Sequence, residues 1–180
     1  MTTDPAEHLF WIASRAAGIT ALLLATASVA LGLLMGARMV RGRRAADARS
    51  LHEVLALGTV GALLVHGFAL LGDGWLQASF WDVVIPFAMG HQRFWTGLGV
   101  LAGWSFVLLG LSFYARHRIG MARWRLLHRF TALAWVLGVA HSLGEGTDAG
   151  QVWFLAMTAV VAVPAALLLV GRLTAAPRPA

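Results

Sequence analysis

Four histidines fall within long apolar stretches of the chain, where an ionisable side chain is costly and marks a functional position. They form two pairs in sequence: His52 and His66 are 14 residues apart, and His128 and His141 are 13 apart. Neutral imidazole is a common metal ligand. The other three histidines lie in tails or connections: His8, His91 and His117.

The two spacings place the four histidines at two matched depths. On helices that run in parallel, a rise of about 1.5 Å per residue separates the members of each pair by roughly 20 Å. This suits two stacked haems, each held between one histidine of either helix. At about 100° per residue His52 and His66 lie within about 40° of one face, whereas His128 and His141 are about 140° apart. The second helix is therefore expected to twist, bend or use its flanks, with Gly138 as a candidate bend.

Other uses of histidine remain alternatives. A single membrane histidine is often only a hydrogen-bonding core residue, but four at paired depths favour a site. A divalent-metal transporter or a proton relay would add carboxylates, and Glu53 is the only carboxylate predicted within these two helices. The chain has no cysteine, which excludes disulfides, iron–sulfur clusters, thiolate zinc sites and covalently attached haem.

The composition predicts the helices that position these histidines. Of the 180 residues, 59% are hydrophobic and only 12% charged, against about 25% charged in soluble domains. Five segments are long enough to cross a hydrocarbon core of about 30 Å. We therefore predict one all-α integral membrane domain over 1–180, with helices at about 10–36, 51–72, 94–114, 126–144 and 152–171.

Arginine placement predicts the orientation. All 14 basic residues are arginine, and most lie in the first and third connections and the C-terminal tail: Arg38, Arg41, Arg43, Arg44, Arg49, Arg116, Arg118, Arg123, Arg125, Arg172 and Arg178. Basic connections stay in the cytoplasm, which predicts an outside N-terminus and an inside C-terminus in a plasma membrane. A nucleic-acid partner is disfavoured. The first eight residues contain Asp4 and Glu7 but no arginine, so we expect an outer tail and not a signal peptide.

Further residues are candidates for the surroundings of a cofactor. Haem propionates need cations; Arg15 and Arg93 are candidates at the outer end, and Arg125 and Arg129 at the inner end. Two aromatic residues, Trp135 and Phe106, are expected at middle depth. They could lie between the haems, but packing in the core or against lipid is favoured for both. The outer connection 73–93 contains tryptophans that are expected to anchor at the interface: Trp75 and Trp81.

Together these residues resemble the ferric reductase-like transmembrane domain, shared by ferric reductases, NADPH oxidases and the haem-bearing membrane subunit of bacterial periplasmic methionine sulfoxide reductase. The resemblance covers nearly the whole chain. It lies in the histidine pairs and in three shorter stretches: Ser14-Arg15-Ala16-Ala17-Gly18, Arg93-Phe94-Trp95-Thr96-Gly97-Leu98-Gly99 and Trp124-Arg125-Leu126-Leu127-His128.

The resemblance implies two haem b groups and electron transfer across the membrane. His52 and His128 would be the iron ligands of the inner haem, and His66 and His141 those of the outer one. Members of the family commonly have six helices, and five are predicted here. No Gly-rich nucleotide-binding fingerprint follows the last helix, so a separate flavoprotein, a quinol or an extracytoplasmic redox protein is expected as partner.

The sequence thus predicts transmembrane electron transfer from a cytoplasmic or membrane reductant to an extracytoplasmic acceptor, as the membrane component of an oxidoreductase. One alternative is a quinol-oxidising haem subunit that feeds a periplasmic reductase. Another is a non-redox metal-binding transporter or scaffold. A b561-type cytochrome, also dihaem but with ligands ordinarily spread over four core helices, is a weaker alternative.

Overall fold

Five helical segments are long and apolar enough to cross a membrane. They are seen in a computed structural model that describes residues 8–146 and 148–174. Within these ranges all regular structure is helical and no strand occurs, which confirms the predicted all-α membrane bundle. Its orientation in the membrane stays a prediction. Three charged residues used for that prediction, Asp4, Glu7 and Arg178, lie outside the described residues.

Eight helices make up the described part of the chain. In order they are α1 Leu9–Gly36, α2 Arg44–Leu70, α3 Phe80–Val84, α4 Arg93–Leu111, α5 Arg116–Ile119, α6 Met121–His128, α7 Thr131–Glu145 and α8 Val152–Thr174. The spans are α1, α2, α4, α6 with α7, and α8. We call the end with the α1–α2 and α4–α6 connections the basic end, and the opposite one the acidic end.

The fourth span runs from Met121 to Glu145 and is interrupted in its middle, as the 13-residue spacing of its histidines predicted. α6 ends at His128 and α7 begins at Thr131, and the break lies between the two histidines and not at Gly138. Around it, backbone N–H groups bond three residues back, from Arg129 to Leu126 and from Phe130 to Leu127. Each residue wound this way turns by about 120° instead of 100°, which reduces the angular offset between the histidines.

The helices pack mainly as two pairs. α1 lies along α2 over the most extensive contact, α4 lies along α7, and α8 rests against α1. Among the described residues α2 and α7 are not a closely packed pair. α2 and the span made of α6 and α7, which carry the paired histidines, therefore face each other across a gap.

The core lies where α1, α7 and α8 meet. Its buried members are Ala25, Val29, Trp135, Ala162 and Ala165, with Phe106 packed against them. The Trp135 indole N–H donates to the Thr26 hydroxyl oxygen over 3.0 Å. Trp135 is thus a core residue with a satisfied N–H group, and Phe106 packs against the same core. Whether the two rings also separate cofactors stays a prediction.

The connection between α2 and α4 folds back along the helices at the acidic end. The Trp104 indole of α4 donates to the Val84 carbonyl over 2.8 Å, and the Phe87 ring lies where a Cβ on Gly97 would be. Ser79 caps α3 through Asp82, and the Ser79 hydroxyl, followed by its backbone N–H, lowers the pKa of that carboxyl. Trp75 and Trp81, the predicted interface anchors, are exposed.

An ion pair joins α1 to the connection between α7 and α8. The Nε and Nη2 atoms of Arg15 donate to the two carboxylate oxygens of Asp148 over 2.5 and 2.6 Å. The guanidinium carbon also lies 5.0 Å from the Trp11 ring centre and 5.9 Å from that of Trp153. The charge of Arg15 is therefore already compensated by a two-point contact.

We expect Asp148→Asn to lower the melting temperature of the detergent-solubilised protein. Replacing a hydrogen-bonded carboxylate by an amide leaves Arg15 without its counter-charge, at a cost of about 1–3 kcal/mol. Asp47→Asn is the control, since Asp47 is exposed in the first turn of α2, where loss of its charge costs no more than about 0.3–1 kcal/mol and should lower the melting temperature less. Equal melting temperatures for the two variants would contradict a stabilising role of the pair.

Candidate functional site

The four histidines of the membrane-spanning helices meet as two pairs. The ring centres of His52 and His128 are 6.1 Å apart with an interplanar angle of 87°. Those of His66 and His141 are 6.3 Å apart with an angle of 67°. Each pair joins α2 to the α6–α7 span, one at the basic end and one at the acidic end, in the combinations that the spacings predict.

Helix α1 binds both histidines of α2 through its backbone. His66 Nδ1 lies 2.8 Å from the Ser14 carbonyl oxygen, and His52 Nδ1 lies 3.0 Å from that of Ser28. A carbonyl oxygen only accepts, so Nδ1 carries the proton in both rings. The lone pair is then on Nε2, the tautomer that a metal ligand requires.

The third histidine follows the same rule with a different helix. His141 Nδ1 donates to the Trp95 carbonyl of α4 over 2.9 Å. Helix α4 thus provides a backbone acceptor for the histidine of α7, as α1 does for the two histidines of α2. Histidines that bind metals almost always make such a bond from the nitrogen that is not coordinated.

His128 is held differently. Its Nδ1 is buried and makes no hydrogen bond within the described residues. The ring instead stacks on Trp124, with centres 4.9 Å apart and planes at 22°. Trp124 is itself fixed by an N–H donation to the Ser112 hydroxyl over 3.1 Å.

A cavity lies beside each pair. The basic-end cavity measures 540 Å³ and is lined by His52 and His128 together with Arg49, Glu53, Tyr114 and Trp124. The acidic-end cavity measures 1410 Å³ and is lined by His66 and His141 together with Arg15, Phe106, Trp135 and Glu145. Sites for organic ligands are typically about 300–1,000 Å³, so both spaces can hold a cofactor.

The geometry of the pairs fits a haem iron held from both sides. Metal–imidazole bonds of about 2.0–2.1 Å place the centres of two opposed rings roughly 6.2–6.4 Å apart, since each ring centre lies about 1.1 Å beyond the nitrogen. Edge-to-face packing of two rings alone gives similar distances. The adjoining cavities and the outward-turned Nδ1 atoms favour ligation, because mere packing requires neither.

Three glycines provide the space for the rings. A Cβ on Gly18 would lie 3.0 Å from His66 Nδ1, one on Gly32 would lie 3.2 Å from His52 Cε1, and one on Gly99 would lie 2.6 Å from His141 Nδ1. Any larger residue would push the ring away from its backbone acceptor. These residues therefore fit a bis-histidine haem site at each end.

The predicted arginine partners are spread more widely. Arg15 lines the acidic-end cavity, but two of its nitrogens are bound to Asp148. Arg93 Nε donates to the Phe87 carbonyl, and neither Arg93 nor the two basic-end candidates, Arg125 and Arg129, lines either cavity. Their assignment to propionates stays a prediction.

Arg49 and a tyrosine–carboxylate pair line the basic-end cavity, and the sequence did not single them out for this role. Arg49 lies three residues before His52, in a connection whose arginines predict only the orientation of the chain. The Tyr114 hydroxyl donates to Glu53 over 2.7 Å, and this bond to the carboxylate raises the pKa of Tyr114. The sequence near Glu53 or near Tyr114 does not reveal this bond, because the two residues are 61 positions apart.

A tetrahedral metal site does not form from these histidines. In the ranges 8–146 and 148–174 no three side chains of histidine, cysteine, aspartate or glutamate converge. Structural and catalytic zinc sites use three or four protein ligands. Each pair therefore suits a cofactor that brings its own equatorial ligands.

The chain was compared with known proteins in three ways. No protein-family model, no curated protein and no solved structure matches it. The resemblance to the ferric reductase-like transmembrane domain therefore stays a prediction from the residues.

We expect Gly99→Ala to destabilise the protein although alanine is the better helix former. The added Cβ would displace His141 from the Trp95 carbonyl, and overpacking of this kind costs about 1–3 kcal/mol. Gly61→Ala is the matched control, because nothing lies within 4 Å of a Cβ there and alanine gains up to about 1 kcal/mol. Thermal unfolding in detergent measures both, and a Gly99→Ala variant as stable as Gly61→Ala would contradict the close packing.

Proposed function

We propose that this chain conducts electrons across the membrane through two b-type haems. The basic-end haem would be held by His52 and His128, and the acidic-end haem by His66 and His141. The observation that carries the proposal is the pairing of these histidines at two depths, with ring centres 6.1 and 6.3 Å apart and a cavity beside each pair.

The chain's own residues prepare the two sites. Backbone carbonyls of Ser14, Ser28 and Trp95 hold Nδ1–H groups and leave Nε2 available. Between the two depths lies the apolar core around Trp135. Each bound haem would supply a one-electron ferric/ferrous couple.

The direction of transfer follows from the predicted orientation. With the arginine-rich basic end in the cytoplasm, a cytoplasmic or membrane reductant, such as a separate flavoprotein, delivers electrons there. An extracytoplasmic acceptor receives them at the acidic end. With the inside negative, outward movement of one electron is favourable by ~2.3 kcal/mol per 100 mV. The chain then acts as the ferric reductase-like membrane component of an oxidoreductase in a bacterial plasma membrane.

A second candidate has a quinol as the electron source, with the same histidine ligands and a periplasmic reductase as recipient. The size of the acidic-end cavity favours it. At 1410 Å³ this cavity is far larger than the 540 Å³ basic-end cavity, and its lining extends from His66 to the aromatic Trp75 and Phe80 of the connection. A quinone that copurifies with the protein would support this source.

Absorption spectra of the purified protein test the haem assignment. We expect a low-spin b-type spectrum on dithionite reduction and two haems per chain in a pyridine haemochrome assay, because bis-imidazole ligation completes the iron coordination. The variants His66→Ala and His141→Ala should each keep one haem, since each removes a ligand of the same site.

His117→Ala is the matched control. His117 is an exposed histidine of α5 at the basic end, and its loss should leave two haems. Full haem content in both His66→Ala and His141→Ala would refute the ligand assignment. Colourless protein expressed with ample haem, or stoichiometric zinc in its place, would refute the electron-transfer proposal and favour a metal-binding transporter or scaffold.

A further inference from the structure

We propose that α1, which provides no iron ligand, is the element that positions the ligands of α2, and that the hydroxyls of Ser14 and Ser28 tune them. This inference depends on the proposed function, since it assigns a role to groups next to the presumed ligands. Ser14 would act on the acidic-end site through His66, and Ser28 on the basic-end site through His52.

Two serines of α1 and two histidines of α2 have the same spacing along their helices, and the two helices are antiparallel. Ser14 and Ser28 are 14 residues apart on α1, as His66 and His52 are on the antiparallel α2. Each serine is followed four residues later by a glycine, Gly18 or Gly32. One antiparallel register therefore sets a serine and a glycine of α1 against each histidine of α2.

At both places the serine contacts the ring with two of its atoms. Besides the carbonyl, the hydroxyl oxygen of Ser14 lies 3.0 Å from His66 Nδ1, and that of Ser28 lies 3.1 Å from His52 Nδ1. Because Nδ1 carries the proton, each hydroxyl oxygen is a second acceptor for the same N–H. Both serines are buried, with 3% and 6% of their surface exposed.

The Ser14 hydroxyl also returns a bond, since it donates to the His66 carbonyl over 3.0 Å. The usual partner of a hydroxyl within a helix is the carbonyl four residues back. Thr20, Thr26 and Ser105 of this chain make that bond. Ser14 and Ser28 instead face a histidine of another helix, which is the mark of a positioning residue.

The physical consequence is a more basic and more rigid ligand. Acceptors on the Nδ1–H raise the basicity of Nε2 and fix the plane of the ring. A more basic axial ligand favours ferric over ferrous iron, and second-shell hydrogen bonding is one of the main controls of haem potential. Removal of one hydroxyl should therefore raise the potential of one site only.

The experiment compares Ser14→Ala, Ser28→Ala and the control Ser105→Ala in the full-length, haem-loaded protein. Redox titration gives the two midpoint potentials, and electron paramagnetic resonance gives the ferric signal of each haem. The His66→Ala variant, which lacks the acidic-end haem, assigns the signals. We expect Ser14→Ala to raise the ferrous-to-ferric ratio of the acidic-end haem at fixed potential by about threefold to tenfold, a modest part of a second-shell effect.

Ser28→Ala should shift the basic-end haem alone, and Ser105→Ala should shift neither. Ser14→Thr keeps the hydroxyl. Its midpoint potential and its ferric signal at the acidic-end haem should therefore lie closer to those of the original protein than to those of Ser14→Ala, even if Ser14→Ala binds haem poorly. Two haems whose potentials and signals do not respond to Ser14→Ala or Ser28→Ala, or that both respond to each, would overturn the positioning role alone. A starting protein without haem would overturn the proposed function and this inference together.

Discussion

An imidazole inside a membrane-spanning helix has two nitrogens that face opposite directions, and lipid satisfies neither. This constraint organises the bundle. Three of the four histidines turn Nδ1 towards a backbone carbonyl of the helix packed behind them. A helical carbonyl that already accepts one bond has a second lone pair to offer. The remaining nitrogen must then face the opposite side, into the gap between α2 and α7.

The close pairs of helices follow from that arrangement. A carbonyl acceptor is reached only if the helix axes approach closely, and glycine permits this where the ring meets the neighbouring backbone. Gly18 and Gly32 provide the space on α1, and Gly99 provides it on α4. α1 therefore packs tightly on α2, and α4 packs tightly on α7, whereas α2 and α7 stay apart. The α1–α2 pair and the α4–α7 pair lie on either side of this gap, and the histidine rings of the two pairs meet within it.

Local chemistry made the spans and the histidine pairs predictable. Hydropathy sets which segments are helical. The largest differences from the predicted bounds are at two helix starts: α2 begins at Arg44 where 51 was predicted, and the fourth span begins at Met121 where 126 was predicted. Polar arginines can extend a helix beyond the hydrophobic core, which hydropathy cannot show. The pairing of His52 with His128 followed from depth alone. Arg15 is a candidate partner for the propionates of an outer haem, and its two-point contact with Asp148, a residue 133 positions away, could not be predicted from the sequence.

The serines show a different limit. Their 14-residue spacing stands in the sequence, but it has meaning only in the register of two antiparallel helices. Spacing on one helix predicts which residues share a face, whereas the register between helices depends on packing along their whole length. The acceptors for three of the four histidines were backbone atoms, which no side-chain pattern reports. The sequence therefore predicted which histidines form pairs, but it did not predict the groups that orient their rings.

The break after His128 allows two histidines that are 13 residues apart to lie closer to one face of the span. Backbone that leaves the regular helix at membrane depth must have its polar groups satisfied within the protein. Here the N–H groups of Arg129 and Phe130 bond three residues back, and the Thr131 hydroxyl donates to the His128 carbonyl over 2.7 Å. The local rewinding brings His128 round towards the face of His141 without a bend at Gly138. The His128 ring is stacked on Trp124, whereas the other three rings are held by hydrogen bonds to backbone carbonyls.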